Sequence, residues 1–266
     1  MVVSGEPWMI PALSRIWEEC FGDSPEYIRF FMERRFPTCQ SFVWLEQGEA
    51  VGAIYLLPCF LKGEPVIYAY AGGVLPEYRN KGIFSKILES SIEFVKAENA
   101  VLVLVPAVGT EQFYWKRGFR PAFSFCLLKC DCEGEILPVV FKNTSAKQYK
   151  QLRERAFQGL CYLQWDEKAV EYAIEENQFC GGFAQSIIFD REYLLFGKKI
   201  ANKLEILETT LDYKVAKQFS ATLCHHWNVE QVLFRLPSIL DEETQQNGYI
   251  FGKQLCQNGW LGLNLL

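Results

Sequence analysis

The sequence predicts an α/β fold in two consecutive domains of one plan. Three observations carry that prediction. Apolar residues recur at helical spacing in some segments and as short strand-like runs in others. The order helix, helix, strands, helix, strand runs through 1–135 and starts again in 145–266. Between the two, Glu133-Gly134-Glu135, Pro138 and Lys142-Asn143-Thr144-Ser145 break the periodic pattern.

In the first domain, 11–20 and 25–36 read as helices. Ser24 is a good N-cap for the second, with Pro25 at its first position. Segments 41–45 and 50–61 form a hairpin about Gln47-Gly48-Glu49. A turn at Lys62-Gly63-Glu64 leads into the apolar strand 66–75. A tight turn, Pro76-Glu77-Tyr78-Arg79-Asn80-Lys81-Gly82, then opens a helix. That helix carries Ile83, Ile87, Leu88, Ile92 and Val95 on one side. The run 100–105 lacks alternation, as a buried central strand does. Segment 111–117 is a short helix ended by Gly118, and 119–130 is again a strand.

The second domain repeats the order. Segments 146–157 and 167–177 are helical, and 183–189 pairs with 193–196 around Asp190-Arg191. Strand 201–208, helix 214–226 and strands 232–236 and 260–266 complete it.

The chain has 266 residues, half of them apolar and 15% aromatic, enough for a substantial core. A net charge of −5 argues against a nucleic-acid or anionic-membrane surface. No apolar run reaches the ~20 residues that span a bilayer. The first residues lack the basic region and small-residue cleavage site of a signal peptide. The ten cysteines form no Cys-x-x-Cys pair. Reduced, mostly buried thiols and a cytoplasmic location are therefore expected.

The turn before Ile83 is the most informative stretch. A helix that opens after a glycine turn leaves backbone N–H groups unpaired at its positive end. Those groups suit a phosphate. The pattern Arg79-x-x-Gly82 is common by chance, and gains meaning from its place between strand and helix. A second segment, Phe113-Tyr114-Trp115-Lys116-Arg117-Gly118-Phe119, lies one βα unit further on.

Taken together, these segments resemble the GNAT superfamily of acetyl-CoA-dependent N-acetyltransferases. Val74 to Gly82 resembles its pyrophosphate loop. Phe113-Tyr114 with Gly118-Phe119 resembles its late helix, beside the thiol end of the cofactor. The likeness is nearest to tandem GNAT proteins, with a first domain similar to the enhanced-intracellular-survival acetyltransferases. It implies two GNAT-like domains, each a mixed, mostly antiparallel sheet flanked by helices. The family loop ends on Gly or Ala where this chain has Phe84, so the ring must point away from the cofactor or pack beneath it.

The resemblance assigns cofactor contacts to Val74, Leu75, Arg79, Asn80, Lys81, Gly82, Ile83 and Phe84. The N–H groups of the turn would hold the pyrophosphate, with Arg79 and Lys81 adding charge. Val74 and Leu75 would pair with the pantetheine arm as an added strand does. Gly72-Gly73 would permit a bulge there, or serve close packing. The amide of Val74 or Leu75 would meet the oxyanion. Tyr114 would protonate the leaving thiol, unless it is only a packing aromatic. The base is open among Glu111, which shares a helix face with Tyr114, the C-terminal carboxylate of Leu266, and a water relay.

In the second domain the matching position reads Glu208-Thr209-Thr210-Leu211-Asp212-Tyr213-Lys214, with carboxylates where phosphate would sit. This half is expected to be a degenerate copy that shapes the acceptor cleft. His225-His226 cannot share a helix face, and no metal is expected. The expected function is acetyl transfer from acetyl-CoA to a primary amine. The alternative is a non-enzymatic acyl-CoA-binding sensor or interaction protein. Acceptor and oligomeric state are left open by the sequence.

Overall fold

The computed structural model describes residues 1–238 and 244–263. By packing the chain divides into Met1–Arg120 with Gly248–Leu255, and Pro121–Asn247 with Cys256–Leu266. The division thus falls before the strand at 120–131 rather than after it, and a late segment returns to the first unit.

The first unit begins with β1 (Val2–Ser4), α1 (Ile10–Phe21) and α2 (Pro25–Arg34). There follow β2 (Gln40–Glu46), β3 (Glu49–Leu61), β4 (Glu64–Val74), α3 (Ile83–Ala97), β5 (Val101–Leu104) and α4 (Glu111–Trp115). Ser24 caps α2 as expected, its Oγ accepting from Tyr27 N at 3.3 Å. β1 to β4 are successive antiparallel neighbours, and β4 pairs in parallel with β5. The far side of β5 is taken by the Tyr249–Phe251 stretch, antiparallel. The α3 stripe is buried through Ile83, Ile87, Leu88 and Val95. Trp17, Phe31 and Tyr55 pack with ring centroids 4.6 to 5.4 Å apart.

The second unit holds β6 (Arg120–Asp131), β7 (Val140–Asn143), α5 (Ala146–Ala156), β8 (Leu163–Gln164) and α6 (Glu167–Phe179). β9 (Gly182–Ile188), β10 (Glu192–Ile200), β11 (Lys203–Thr209), α7 (Tyr213–Trp227) and β12 (Gln231–Pro237) follow, and β13 (Thr244–Phe251) starts in this unit and passes into the first at Gly248. Its sheet runs β6-β12-β11-β10-β9-β7, antiparallel except for the parallel pair β11 and β12. Each unit is therefore a mixed, mostly antiparallel sheet with flanking helices, and each crosses from one strand to a parallel one through a 15-residue helix. The core of the second unit includes Phe219, Leu223, Val232 and Phe234.

Three expectations are corrected. Among the described residues the final strand is β13, and 260–263 form none. Thr244 to Asn247 are polar, so the sequence pattern hides it, while Trp260 and Leu261 are buried by packing and Trp260 makes only an isolated bridge to Tyr162. Residues 264–266 lie outside the described residues. Not all thiols are reduced: Cys132 and Cys224 form a disulfide across 92 residues. β1 and β7 are strands that the sequence pattern did not reveal. Among the described residues no helix is long and apolar enough to cross a membrane.

Candidate active site

β4 and β5 pair from Val66–Val101 to Ala69–Leu104. β5 then ends, while β4 runs on to Val74, so a groove opens beyond Ala69. A bulge shapes this stretch. Ala53 pairs with Gly73 and Tyr55 with Tyr70, so Ile54 alone faces Ala71 and Gly72. Ala71 takes φ +46°, a left-handed conformation costly for a residue with a Cβ. The glycines serve close approach. A Cβ on Gly73 would stand 2.8 Å from Cys20 Sγ, and one on Gly72 would stand 2.9 Å from Phe84 Cε2. A cavity of about 650 Å³ fills the groove, lined by Ala69 and Ala71 to Val74 of β4 and by Leu104, Val105, Phe113 and Tyr114.

The strand end separates the roles of Val74 and Leu75. Leu75 N donates to Val51 O at 2.9 Å, and its carbonyl accepts from Tyr78 N at 2.9 Å. The Leu75 N–H is thus committed to β3, while its carbonyl closes the turn that follows. Gly52–Val74 is then the adjacent non-bonded pair of the ladder, so the Val74 amide points away from β3, toward the groove. The Val74 carbonyl is already held, by Arg79 Nε at 3.0 Å and Cys20 Sγ at 3.4 Å. Arg79 therefore braces the strand end rather than reaching into the loop.

The loop itself turns through left-handed residues, Asn80 at φ +61° and Gly82 at +76°. Asparagine tolerates that region and glycine is at ease in it. Gly82 is the N-cap of α3, and no side chain caps the helix. The amides of Ile83, Phe84 and Ser85 thus begin the helix without an intrahelical partner. Ile83 is buried, so only its backbone faces the loop. Lys81 is exposed, with Nζ 4.8 Å from the Tyr78 ring centre. Phe84 lies on Gly72, lines the cavity, and meets Phe113 and Tyr114 at centroid distances of 5.7 and 6.5 Å.

On the other side, Tyr114 is wedged among Phe113, Phe119 and Phe84. Burial pushes its phenol up to about 12, against the opposing field of Arg117. The proton therefore stays on oxygen at neutral pH. The hydroxyl is thus a hydrogen-bond donor at the cavity wall.

Glu111 does not join it: its Oε1 accepts from Gly109 N at 3.2 Å, closing the turn before α4, and it does not line the cavity. Leu266 lies outside the described residues. The lining holds no carboxylate and no histidine among the described residues. Arg117 was missed by the sequence reading. Its Nη2 donates to Ser85 Oγ at 2.7 Å, joining α4's end to α3.

The corresponding helix of the second unit, α7, is capped by its own acidic side chain. Asp212 is its N-cap, and Oδ1 accepts from Val215 N at 2.9 Å. Glu208 is wholly buried and takes four donors. Oε1 accepts from Tyr149 and Arg153 Nε, each at 2.8 Å, and Oε2 from Trp260 Nε1 at 3.0 Å and Leu263 N at 3.1 Å. No group of His, Cys, Asp and Glu residues suited to a metal ion occurs among the described residues. His226 instead stacks on Phe141 at 3.7 Å.

Residues 9–122 match the family model of the acetyltransferase (GNAT) domain. No curated protein matches the chain. Solved structures share its fold. A conserved protein of unknown function from Enterococcus faecalis V583, described as a probable N-acyltransferase, has a TM-score of 0.73 at 14% identity, over 96% of this chain and 73% of its own. A GCN5-related N-acetyltransferase from Kribbella flavida gives 0.73 at 15%, over 94% and 70%. Eis1 from Mycobacterium abscessus gives 0.66 at 12%, over 94% and 73%. At these identities the likeness is one of fold. The match to the GNAT domain model thus covers most of the first unit, and the chain shares the α/β fold of these structures.

Proposed function

We propose that this protein transfers the acetyl group of acetyl-CoA to a primary amine by direct attack. One observation carries the reading: Val74, Asn80, Phe84 and Tyr114 line a single cavity, and Phe84 belongs to the uncapped first turn of α3. In this reading the amides after Gly82 hold the pyrophosphate. The pantetheine arm lies along the open edge of β4. The Val74 N–H donates to the oxyanion formed on the thioester carbonyl. Tyr114 donates to the sulfur as the carbon–sulfur bond breaks.

The amine attacks in its neutral form, and water in the groove removes its proton. Glu111 is committed to Gly109, and no acid lines the groove among the described residues. The second domain is a degenerate GNAT-like copy without a cofactor site, because Asp212 occupies the place of the anion. A second reading, an acyl-CoA binder without turnover, is favoured by that same lack of a base.

Calorimetry with acetyl-CoA, followed by thiol release with spermidine, tobramycin and an N-blocked lysine, separates the readings. One site per chain, lost in Gly82→Glu, with turnover of an amine supports the enzyme. One site with no turnover leaves the binder. Two sites overturn the degenerate second domain, and no binding overturns both readings.

A further inference from the structure

We propose that Arg117 is a positioning residue that ties the helix bearing Tyr114 to the helix heading the phosphate loop. The inference rests on the acetyl-transfer reading above. α4 has five residues and no side-chain cap, and a helix this short does not hold itself. Arg117 lies just past its C-cap, Lys116. Nη1 donates to Phe113 O at 2.9 Å, and Nη2 donates to Ser85 Oγ at 2.7 Å. The guanidinium also lies 3.6 Å from the centre of the Phe113 ring. One planar group thus grips a carbonyl and a ring of α4 together with the first turn of α3. Lysine cannot reproduce that fork and stack.

The geometry gives the brace a use. Ser85 is the third residue of α3, so its amide is among those that begin the helix unpaired. An anion that orders this turn also orders Ser85. Arg117 passes that position to Phe113, whose neighbour Tyr114 must reach the departing sulfur. Misplacing a reacting group by about 1 Å can cost ~100-fold in rate. Arg117 does not line the cavity, so it acts through Tyr114 and not on the cofactor.

The test is a double-mutant cycle with acetyl-CoA and the three amines named above. Arg117→Ala should lower kcat by roughly 10- to 100-fold while leaving KM and the calorimetric Kd for acetyl-CoA within about twofold. Arg117→Lys should fail to restore kcat. The pair Arg117→Ala with Tyr114→Phe should be no slower than Tyr114→Phe alone, because one acts through the other. Additive losses, or a Kd that weakens about tenfold with kcat unchanged, would overturn the assignment. If Arg117→Ala does not fold, Ser85→Ala with Tyr114→Phe runs the same cycle and is judged by the same outcomes. A wild-type protein that turns over none of the amines overturns the enzyme reading and this one together. Turnover with additive losses overturns this one alone.

Discussion

The ring of Phe84 rests on the bare backbone of Gly72, close enough that a Cβ there would stand 2.9 Å from Cε2 and 3.0 Å from Cζ. The two residues are a matched pair: a large side chain at the loop is accommodated by the absence of one on the strand. Gly72→Ala should destabilise the fold by about 1–3 kcal/mol through overpacking. Adding Phe84→Ala should recover most of that loss. Urea unfolding of the single and double variants checks it, and losses that simply add would show that the pair is not coupled.

Tyr114→Phe should leave acetyl-CoA affinity nearly unchanged and lower kcat by roughly 10- to 100-fold, the worth of a hydrogen bond to a developing charge. Steady-state rates set beside calorimetric affinities decide this. Equal loss of binding and turnover would make Tyr114 a packing residue.

Glu208→Gln should be strongly destabilising. Arg153 and Glu208 are almost fully enclosed, 2.8 Å apart, and removing one charge strands the other. Breaking such a pair costs about 3–5 kcal/mol. Denaturant unfolding measures it, and a change below about 1 kcal/mol would refute the role of the pair.

Alkaline stability should respond to Cys39. Burial pushes its thiol up to about 12 from 9.0, only partly offset by Arg35. The fold favours the protonated form, so this contribution is complete below pH 9, where the unfolded chain also keeps its proton. It is lost as pH rises from there toward 12. Melting curves taken between about pH 8 and 11 should fall less steeply for Cys39→Ala than for wild type. Parallel curves would refute it.

Much of the first domain was legible in the sequence because local chemistry and tertiary role agree there. Ser24 caps, Gly82 turns, and the Ile83 to Val95 stripe faces the core as its spacing requires. Phe84 was recognisable as a departure, yet its partner Gly72 is a contact between strand and helix that no periodicity reports. Leu75 looked equivalent to Val74, and ladder parity alone separates them. Glu208 read as a carboxylate that repels phosphate. Its actual partners, Tyr149, Arg153, Trp260 and Leu263, come from distant segments. Cys132 and Cys224 gave no spacing signal because their meeting depends on the placement of α7.

The bond between Cys132 and Cys224 closes the intervening chain into a covalent ring that contains α5, α6, strands β7 to β11 and α7 as far as Cys224. A protease that nicks this ring once cannot release a fragment. The cut protein should migrate as a single species on a non-reducing gel and as two after reduction. Limited digestion analysed under non-reducing conditions alone would therefore report an intact chain where the backbone has already been opened.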